Sequence, residues 1–344
     1  MLKAPASELP ARDTSTSVSV VVPSYNHAPF VEKSLRSIFK QTLAPLELLV
    51  IDDGSRDDSV RIIERTLKDC PFPCELIARS NRGLCATLNE GFAHCSRGRY
   101  FAYLGSDDLW FPEFLRARVE LLEARPSAVV AYGHAYSIDA ADHIIDCTTD
   151  WAHYRDGNVR RMLLETLAPL SPTVIYRRDA LARHRWNETA QLEDYELYLH
   201  LSAEGDFAFD PQILSAWRQH GYNTSRNLAL MLSERLAAQS SVAEALELSA
   251  QQLADFHTLA KFRSAQEFMR QGEKLQAMKL TLSNWRGVPT AAEAMKIIAA
   301  FLIPHKLKKA MKIIAAFLIP HKLFTWRKSR MRERAGERYG SLRM

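Results

Sequence analysis

The feature that most constrains this chain is a regular alternation of short apolar, β-branched runs with amphipathic helical patterns in its N-terminal third. Strands and helices that succeed one another at this pitch predict an α/β fold with a mostly parallel, doubly wound sheet. The predicted strands are residues 18–22, 47–51, 75–78 and 100–104, and the predicted helices are residues 29–41, 57–68 and 84–94.

Each predicted strand is followed by a polar segment or leads into a polar loop. Because open α/β sheets bind ligands beyond the carboxyl ends of their strands, we expect the functional site at this edge of the sheet. The segments concerned are residues 23–26, 52–55, 81–83 and 105–108.

The domain organisation follows from composition. A chain of 344 residues, 47% hydrophobic and 25% charged, can bury a substantial core. We expect a loose Ser/Thr/Ala/Pro leader at residues 1–16 and an α/β domain at 17–225. A C-terminal α-helical extension at 226–290, rich in helix-forming residues, and a tail at 291–344 complete the prediction.

The tail combines apolar runs with strong positive charge. The sequence AMKIIAAFLIPHKL occurs at residues 294–307 and again at 310–323, and residues 304–344 hold twelve Lys/Arg against two Glu. Such segments favour attachment to an anionic membrane surface. In the alternative interpretation, one copy packs on the α/β domain and the other is a duplication without a role. Nucleic acid is not an expected partner, because the tail has few aromatic residues and no reading module.

Cysteine usage and apolar run lengths indicate the compartment. The five cysteines are few and odd in number, which is typical of a reducing environment. No secretory signal is visible, and the longest apolar stretches fall short of the roughly 20 residues that span a bilayer. We therefore expect a cytoplasmic protein, peripheral at the inner face of the membrane.

The first chemical motif is GSDDLW, in which Asp107 and Asp108 follow an apolar strand. Neighbouring carboxylates repel each other, and a hard cation with phosphate oxygens relieves that repulsion. A solvated turn is the alternative.

Two further motifs suit a nucleotide. In VIDDGS, the carboxylate of Asp53 could accept a proton from a base edge, although an Asx turn near the helix at Asp57 explains the same residues. In VVPSYN, Pro23 stiffens the strand exit and Tyr25 offers a flat face for a base. A buried tyrosine is the alternative.

The last two motifs lie further along the chain. LEDYELYLHL predicts an amphipathic helix with Glu193 and Asp194 in its first turn, where acids also simply complement the helix dipole. In WRQHGYNTS, Arg218 and His220 could serve a diphosphate and its cation, although a lone histidine is more often a plain surface or core residue.

Taken together and in order, these motifs and NRGLCATLNEG resemble family 2 glycosyltransferases, which have the GT-A fold. The resemblance covers residues 18–225. It implies an inverting transfer of a sugar from a UDP-, GDP- or dTDP-sugar to a hydroxyl of a glycan or lipid-linked acceptor, in the synthesis of a bacterial surface polysaccharide.

The resemblance also implies roles for individual residues. The donor-binding set comprises Pro23, Tyr25 against the base, Asp53 at its edge, Asn81, Arg82, Asp107 at the ribose, and Arg218. Asp108 and His220 would hold Mn²⁺ or Mg²⁺, and Asp194 matches the general base.

Two positions depart from the family pattern. Many relatives have Asp where this chain has Gly105, and Arg where it has Leu88, so one donor contact falls to Arg82 or Arg218.

Two other functions compete with transfer. A non-catalytic nucleotide-sugar-binding partner would not need Asp107, Asp108 and Asp194 together, and a sugar nucleotidyltransferase would need a Gly-rich, basic loop after the first strand.

Overall fold

The computed structural model describes residues 17–221 and 227–287. These form two compact units, one containing residues 17–163 and 167–221 and the other containing 164–166 and 227–287. The predicted leader and the repeat-containing tail from residue 291 lie outside the described residues. The predicted division at residue 225 also falls on residues that are not described, so it stays a prediction.

The first half of the sheet confirms the predicted parallel arrangement. Strand β1 pairs in parallel with β2 and β4, and β2 pairs in parallel with β3. The strands are β1 (Val18–Ser24), β2 (Glu47–Asp52), β3 (Cys74–Ala78) and β4 (Tyr100–Tyr103), and the crossover helices are α1 (Val31–Phe39), α2 (Ser59–Leu67) and α3 (Leu84–His94).

The second half of the sheet is mixed. The nine strands follow the order β3-β2-β1-β4-β8-β6-β9-β5, with β7 paired to β6. Strand β8 is antiparallel to both β4 and β6, whereas β6 and β9 are parallel. The strands are β5 (Leu109–Trp110), β6 (Ala128–Ile138), β7 (Ile144–Cys147), β8 (Ile175–Arg177) and β9 (Asp206–Arg218), and the helices are α4 (Phe114–Glu123), α5 (Arg160–Leu164), α6 (Arg178–Leu181) and α7 (Glu193–Glu204).

Strand β1 lies at the centre of the parallel half and is buried along its whole length. Its continuous apolar run fits a strand covered on both faces. Val20 and Val22 join a core that includes Leu35 of α1. Helix α3 approaches β1 closely at Gly91, where an added Cβ would lie 2.7 Å from Val21 Cγ1.

The second unit is helical, as its composition predicts. Its helices are α8 (Leu228–Ser241), α9 (Ala250–Gln271) and α10 (Lys274–Ser283). Leu228, Phe268 and Ala277 form a small core, and Ser249 with Gln252 makes a capping box at the start of α9. Among the residues described, no helix is long and apolar enough to cross a membrane.

The close approach of α3 to β1 leads to a stability prediction. Gly91→Leu should lower the free energy of unfolding by about 3 kcal/mol, because the new side chain must displace Val21 in a packed interior. Urea denaturation followed by circular dichroism measures the effect.

Ala93→Leu provides the matched control, since Ala93 lies on the exposed side of the same helix and its replacement should leave stability unchanged. Equal midpoints for the two variants would contradict the packing described for Gly91.

Candidate functional site

The candidate site lies where three chain segments meet beyond the sheet. His27 follows the end of β1, Asp107 lies in the loop between β4 and β5, and His220 follows the end of β9. Antiparallel pairing of β5 with β9 matches Leu109 with Ala216, which brings the Asp107 loop beside the exit of β9. Residues distant in sequence are therefore adjacent here.

The side chains of His27, Asp107 and His220 form a compact polar cluster. His220 Nε2 lies 2.9 Å from Asp107 Oδ2, and His27 Nδ1 lies 3.6 Å from Asp107 Oδ1. One ligand atom from each of the three residues falls within 4.8 Å of the other two. Imidazole nitrogen and carboxylate oxygen are ligands for divalent transition metals, so this His27–Asp107–His220 cluster has suitable chemistry for a cation.

The electrostatics of Asp107 favour its ionised form. Burial opposes ionisation, but the hydrogen bond with His220 and the interaction with His27 hold the pKa of Asp107 below its ordinary value. Burial lowers the pKa of His27, which favours the neutral imidazole that a cation binds. The cluster thus combines a carboxylate with at least one ring biased towards the neutral, metal-binding state.

Asp108 has a different environment from its neighbour. Its side chain is buried, and its Oδ1 accepts a hydrogen bond of 2.8 Å from the Arg218 backbone N–H. Burial and the negative charge of Asp107 raise the pKa of Asp108 well above its ordinary value. The sequence-based hypothesis gives the cation to Asp108 and the ribose to Asp107, whereas the structure places Asp107 next to both histidines.

Gly105 lies two residues before Asp107 in the same loop. A Cβ at this position would lie 3.0 Å from Asp107 Oδ1 and 3.2 Å from Asp108 Oδ2. These distances are tight but not prohibitive. A side chain at residue 105 would therefore crowd the carboxylates of Asp107 and Asp108.

Arg218 is fully buried and bonds inside the protein. Its Nε donates to the Asp107 carbonyl at 2.6 Å and its Nη1 donates to the Asp139 carbonyl at 2.9 Å. The same Nη1 lies 2.6 Å from Asp142 Oδ1, and the guanidinium carbon stands 4.9 Å from the centre of the Phe30 ring. The sequence placed Arg218 among the donor-binding residues, but these contacts make it a buried connection between loops.

The β6–β7 hairpin takes part in this connection through Asp142. Its carboxylate pairs with Arg218 and also with Lys33 of α1. Asp142 adopts a positive φ of 65°, which is uncommon for a non-glycine residue. Nothing in the local sequence singles out Asp142, whereas His27 directly follows the VVPSYN motif and could have been noticed there.

Asp53 organises the loop that carries two other predicted residues. Its Oδ1 accepts the Arg82 backbone N–H and its Oδ2 accepts the Gly83 backbone N–H, both at 2.8 Å. Arg79 pairs with the same carboxylate. Asp52 instead closes a local turn, because its carboxylate accepts hydrogen bonds from the backbone and hydroxyl of Ser55.

The remaining predicted donor-binding residues differ in exposure. Tyr25 is 44% exposed, which rules out the buried-tyrosine alternative, whereas Pro23 is buried in β1. Asn81 and Arg82 are exposed, and Arg82 Nη1 lies 3.2 Å from Glu90. Open surfaces are therefore available at Tyr25, Asn81 and Arg82.

Glu193 and Asp194 occupy the first turn of α7, as predicted. Both are partly buried. Burial raises the pKa of Glu193, and the charge of Asp107 adds to this shift, so the start of α7 lies within electrostatic reach of the Asp107 loop. A partly desolvated first turn is a suitable environment for a carboxylate that takes up a proton.

Comparison with known proteins identifies the family. Residues 19–185 match the model of glycosyl transferase family 2. The chain contains a domain of this family. An uncharacterised glycosyltransferase of Nostoc sp. is 26% identical over 249 residues, which cover 70% of this chain and 75% of that protein. Chondroitin synthase of Escherichia coli is 27% identical over 215 residues, which cover 60% of this chain but only 30% of that protein.

Solved structures confirm the GT-A fold of this glycosyltransferase. Residues 1–349 of TarS from S. aureus, in complex with UDP-GlcNAc, give a TM-score of 0.59 at 15% identity, covering 83% of this chain and 89% of that one. The mannosyltransferase PcManGT from Pyrobaculum calidifontis, in complex with GDP-Man and Mn²⁺, gives 0.55 at 16% identity, covering 91% and 84%. At such identities the likeness concerns the fold alone.

The Arg218 contacts in this glycosyltransferase lead to a second prediction. Asp142→Asn removes the carboxylate charge that faces a buried guanidinium, and should lower the free energy of unfolding by about 1–3 kcal/mol. Chemical denaturation at neutral pH measures the change.

Glu120→Gln serves as the control, because Glu120 is exposed on α4 and its neutralisation should be almost silent. If Asp142→Asn were equally silent, the carboxylate would not stabilise buried Arg218.

Proposed function

We propose that this protein is an inverting glycosyltransferase that requires a divalent cation. It would move a sugar from a nucleoside-diphosphate sugar to a hydroxyl of a glycan or lipid-linked acceptor. The observation that carries the proposal is the His27–Asp107–His220 cluster at the carboxyl-end edge of a family 2 domain. We further assign a general base, a donor site and an acceptor.

We assign the cation to Asp107 and His220, with His27 beside them, rather than to Asp108. The distances within the cluster support this choice, as does the hydrogen bond from the Arg218 backbone N–H that already occupies Asp108 Oδ1. Imidazole ligands suit Mn²⁺ better than Mg²⁺, which prefers oxygen ligands. When bound, the cation would neutralise the charge that develops on the departing diphosphate.

The donor would lie along the strand ends that carry Tyr25, Asp53 and the loop 81–83. The exposed ring of Tyr25 offers a stacking face for the base, and Asp53 fixes the backbone of the loop. The complexes of structural relatives with UDP-GlcNAc and with GDP-Man support a nucleotide-sugar donor. The nucleotide of the donor would be UDP, GDP or dTDP.

Asp194 would act as the general base. In an inverting transfer, the acceptor oxygen forms a bond with C1 while the bond from C1 to the diphosphate oxygen breaks, and the acceptor proton passes to a carboxylate. The position of Asp194 in the partly buried first turn of α7 supports this role. The same turn includes Glu193, whose raised pKa reflects desolvation.

For the acceptor, we propose a growing bacterial surface polysaccharide, lipid-linked or free. The similarity to part of chondroitin synthase supports a polymer as acceptor. Attachment of residues 291–344 to an anionic membrane belongs to the same proposal, and it rests on their sequence. A non-catalytic binding protein is less well supported, because such a protein would not need a metal-suited cluster together with Asp194.

The donor and metal assignment can be tested by thermal shift with UDP-, GDP- and dTDP-sugars, with and without Mn²⁺. At a concentration near 100 times Kd, the correct donor should stabilise the protein by roughly 2.7 kcal/mol, and only when Mn²⁺ is present. Asp107→Asn and His220→Ala should abolish this Mn²⁺-dependent shift, whereas Asp108→Asn should keep most of it.

Asp255→Asn, an exposed change on α9, is the control. Loss of the shift in Asp108→Asn but not in Asp107→Asn would return the cation to Asp108. If no donor produced a Mn²⁺-dependent shift or released nucleoside diphosphate, the enzymatic proposal would fail.

The base assignment gives a separate prediction. Asp194→Asn should keep the Mn²⁺-dependent donor shift but lower the transfer rate by about 10²–10⁴-fold, because the amide cannot accept the acceptor proton. The rate of transfer to a glycan acceptor is measured from the release of nucleoside diphosphate. Transfer at the wild-type rate would refute the assignment.

A further inference from the structure

Exposed apolar side chains are concentrated at the end of the helical unit. Among the described residues, six large hydrophobic side chains are exposed, and three of them are Leu275 (78%), Leu282 (69%) and Trp285 (51%). Of the other three, Tyr25 lies within, and Leu84 directly follows, a predicted donor-binding segment. A local concentration of this kind marks an interaction surface more often than scattered single residues do.

The two leucines lie on one face of α10. At 100° per residue, Leu275 and Leu282 point within about 20° of each other, and Lys279 lies about 40° from Leu275. The opposite side of the helix holds Ala277 and Thr281, which are buried. The exposed face therefore points away from the core of its own unit, and Trp285 follows where the helix ends.

The charged residues from the first residue of α10 to residue 287 are all positive. Residues 274–287 contain Lys274, Lys279 and Arg286 and no acidic residue. Residues 288–344, which follow directly in sequence, contain thirteen Lys/Arg and three Glu. A partner that covers the face must bury apolar side chains and must place negative charge directly beside them.

We propose that Leu275, Leu282 and Trp285, with Lys279 between the leucines, form a docking surface for an anionic phospholipid bilayer. The leucine side chains and the indole would enter the boundary between headgroups and acyl chains, and Lys279 would extend to the lipid phosphates. This α10 surface is separate from the tail at 291–344. It does not depend on the assigned chemistry, and it would hold the enzyme where lipid-linked acceptors occur.

A second copy of the chain fits this surface less well. In a two-fold symmetric contact the same patch meets itself, so the Lys279 ammonium groups would be brought close together. A row of three apolar side chains is also far smaller than the roughly 800 Å² per partner of a standard interface. A bilayer needs no matching shape and provides phosphate groups beside an apolar layer.

Flotation of the full-length chain with vesicles tests the proposal. We expect binding to vesicles of phosphatidylcholine with phosphatidylglycerol, and much weaker binding to phosphatidylcholine alone. The double variant Leu275→Gln/Leu282→Gln should lower the partition coefficient at least about tenfold, because two inserted leucines are lost. Lys279→Glu should also weaken binding, and only to the anionic vesicles.

Trp151→Gln is the matched control, since Trp151 is 45% exposed in the other unit and its loss should leave flotation unchanged. Circular dichroism and the melting temperature without ligand verify that each variant is folded. If the double variant misfolds, Leu275→Gln alone and Lys279→Glu carry the test.

Unchanged flotation of folded variants would overturn the α10 surface and leave any membrane binding to the tail. A shift from dimer to monomer in light scattering, with unchanged flotation, would assign the face to a second copy. Both outcomes are independent of whether the glycosyl transfer proposal succeeds.

Discussion

The candidate site depends on one buried cation, the guanidinium of Arg218. A charge removed from water must find partners for its donors, and these partners come from separate parts of the chain. They include the carbonyl of Asp107 and the carboxylate of Asp142, while the Arg218 backbone N–H bonds to Asp108. The end of β9, the loop between β4 and β5 and the β6–β7 hairpin are thereby held together. This arrangement orients Asp107 towards the two histidines.

The parallel half of the fold could be predicted because its information is local. Each strand is a short apolar run with polar residues at its end, and each crossover helix shows its own periodicity. The second half could not be predicted in the same way. Strand β8 has only three residues and is defined by antiparallel pairing with β4 and β6, which no local pattern records.

The site shows the same limit at the level of single side chains. The family resemblance put Asp107, Asp108 and His220 in one neighbourhood, but it could not tell which carboxylate faces the histidines. That depends on hydrogen bonds formed across the sheet, such as the one from the Arg218 backbone to Asp108. A sequence motif also does not show whether a side chain is buried. For this reason Arg218 was predicted as a phosphate ligand, whereas the structure shows its side chain buried and bonded to protein groups.

Strand β3 forms the end of the sheet among the described strands, so one row of its backbone groups has no neighbouring strand. Such an edge can recruit a strand from another molecule and start aggregation. Pro71 and Pro73 immediately precede this strand, and the exposed Glu75 lies within it. Prolines and charge discourage pairing between edges, so the parallel half of the sheet can remain open on this side without recruiting a strand from another molecule.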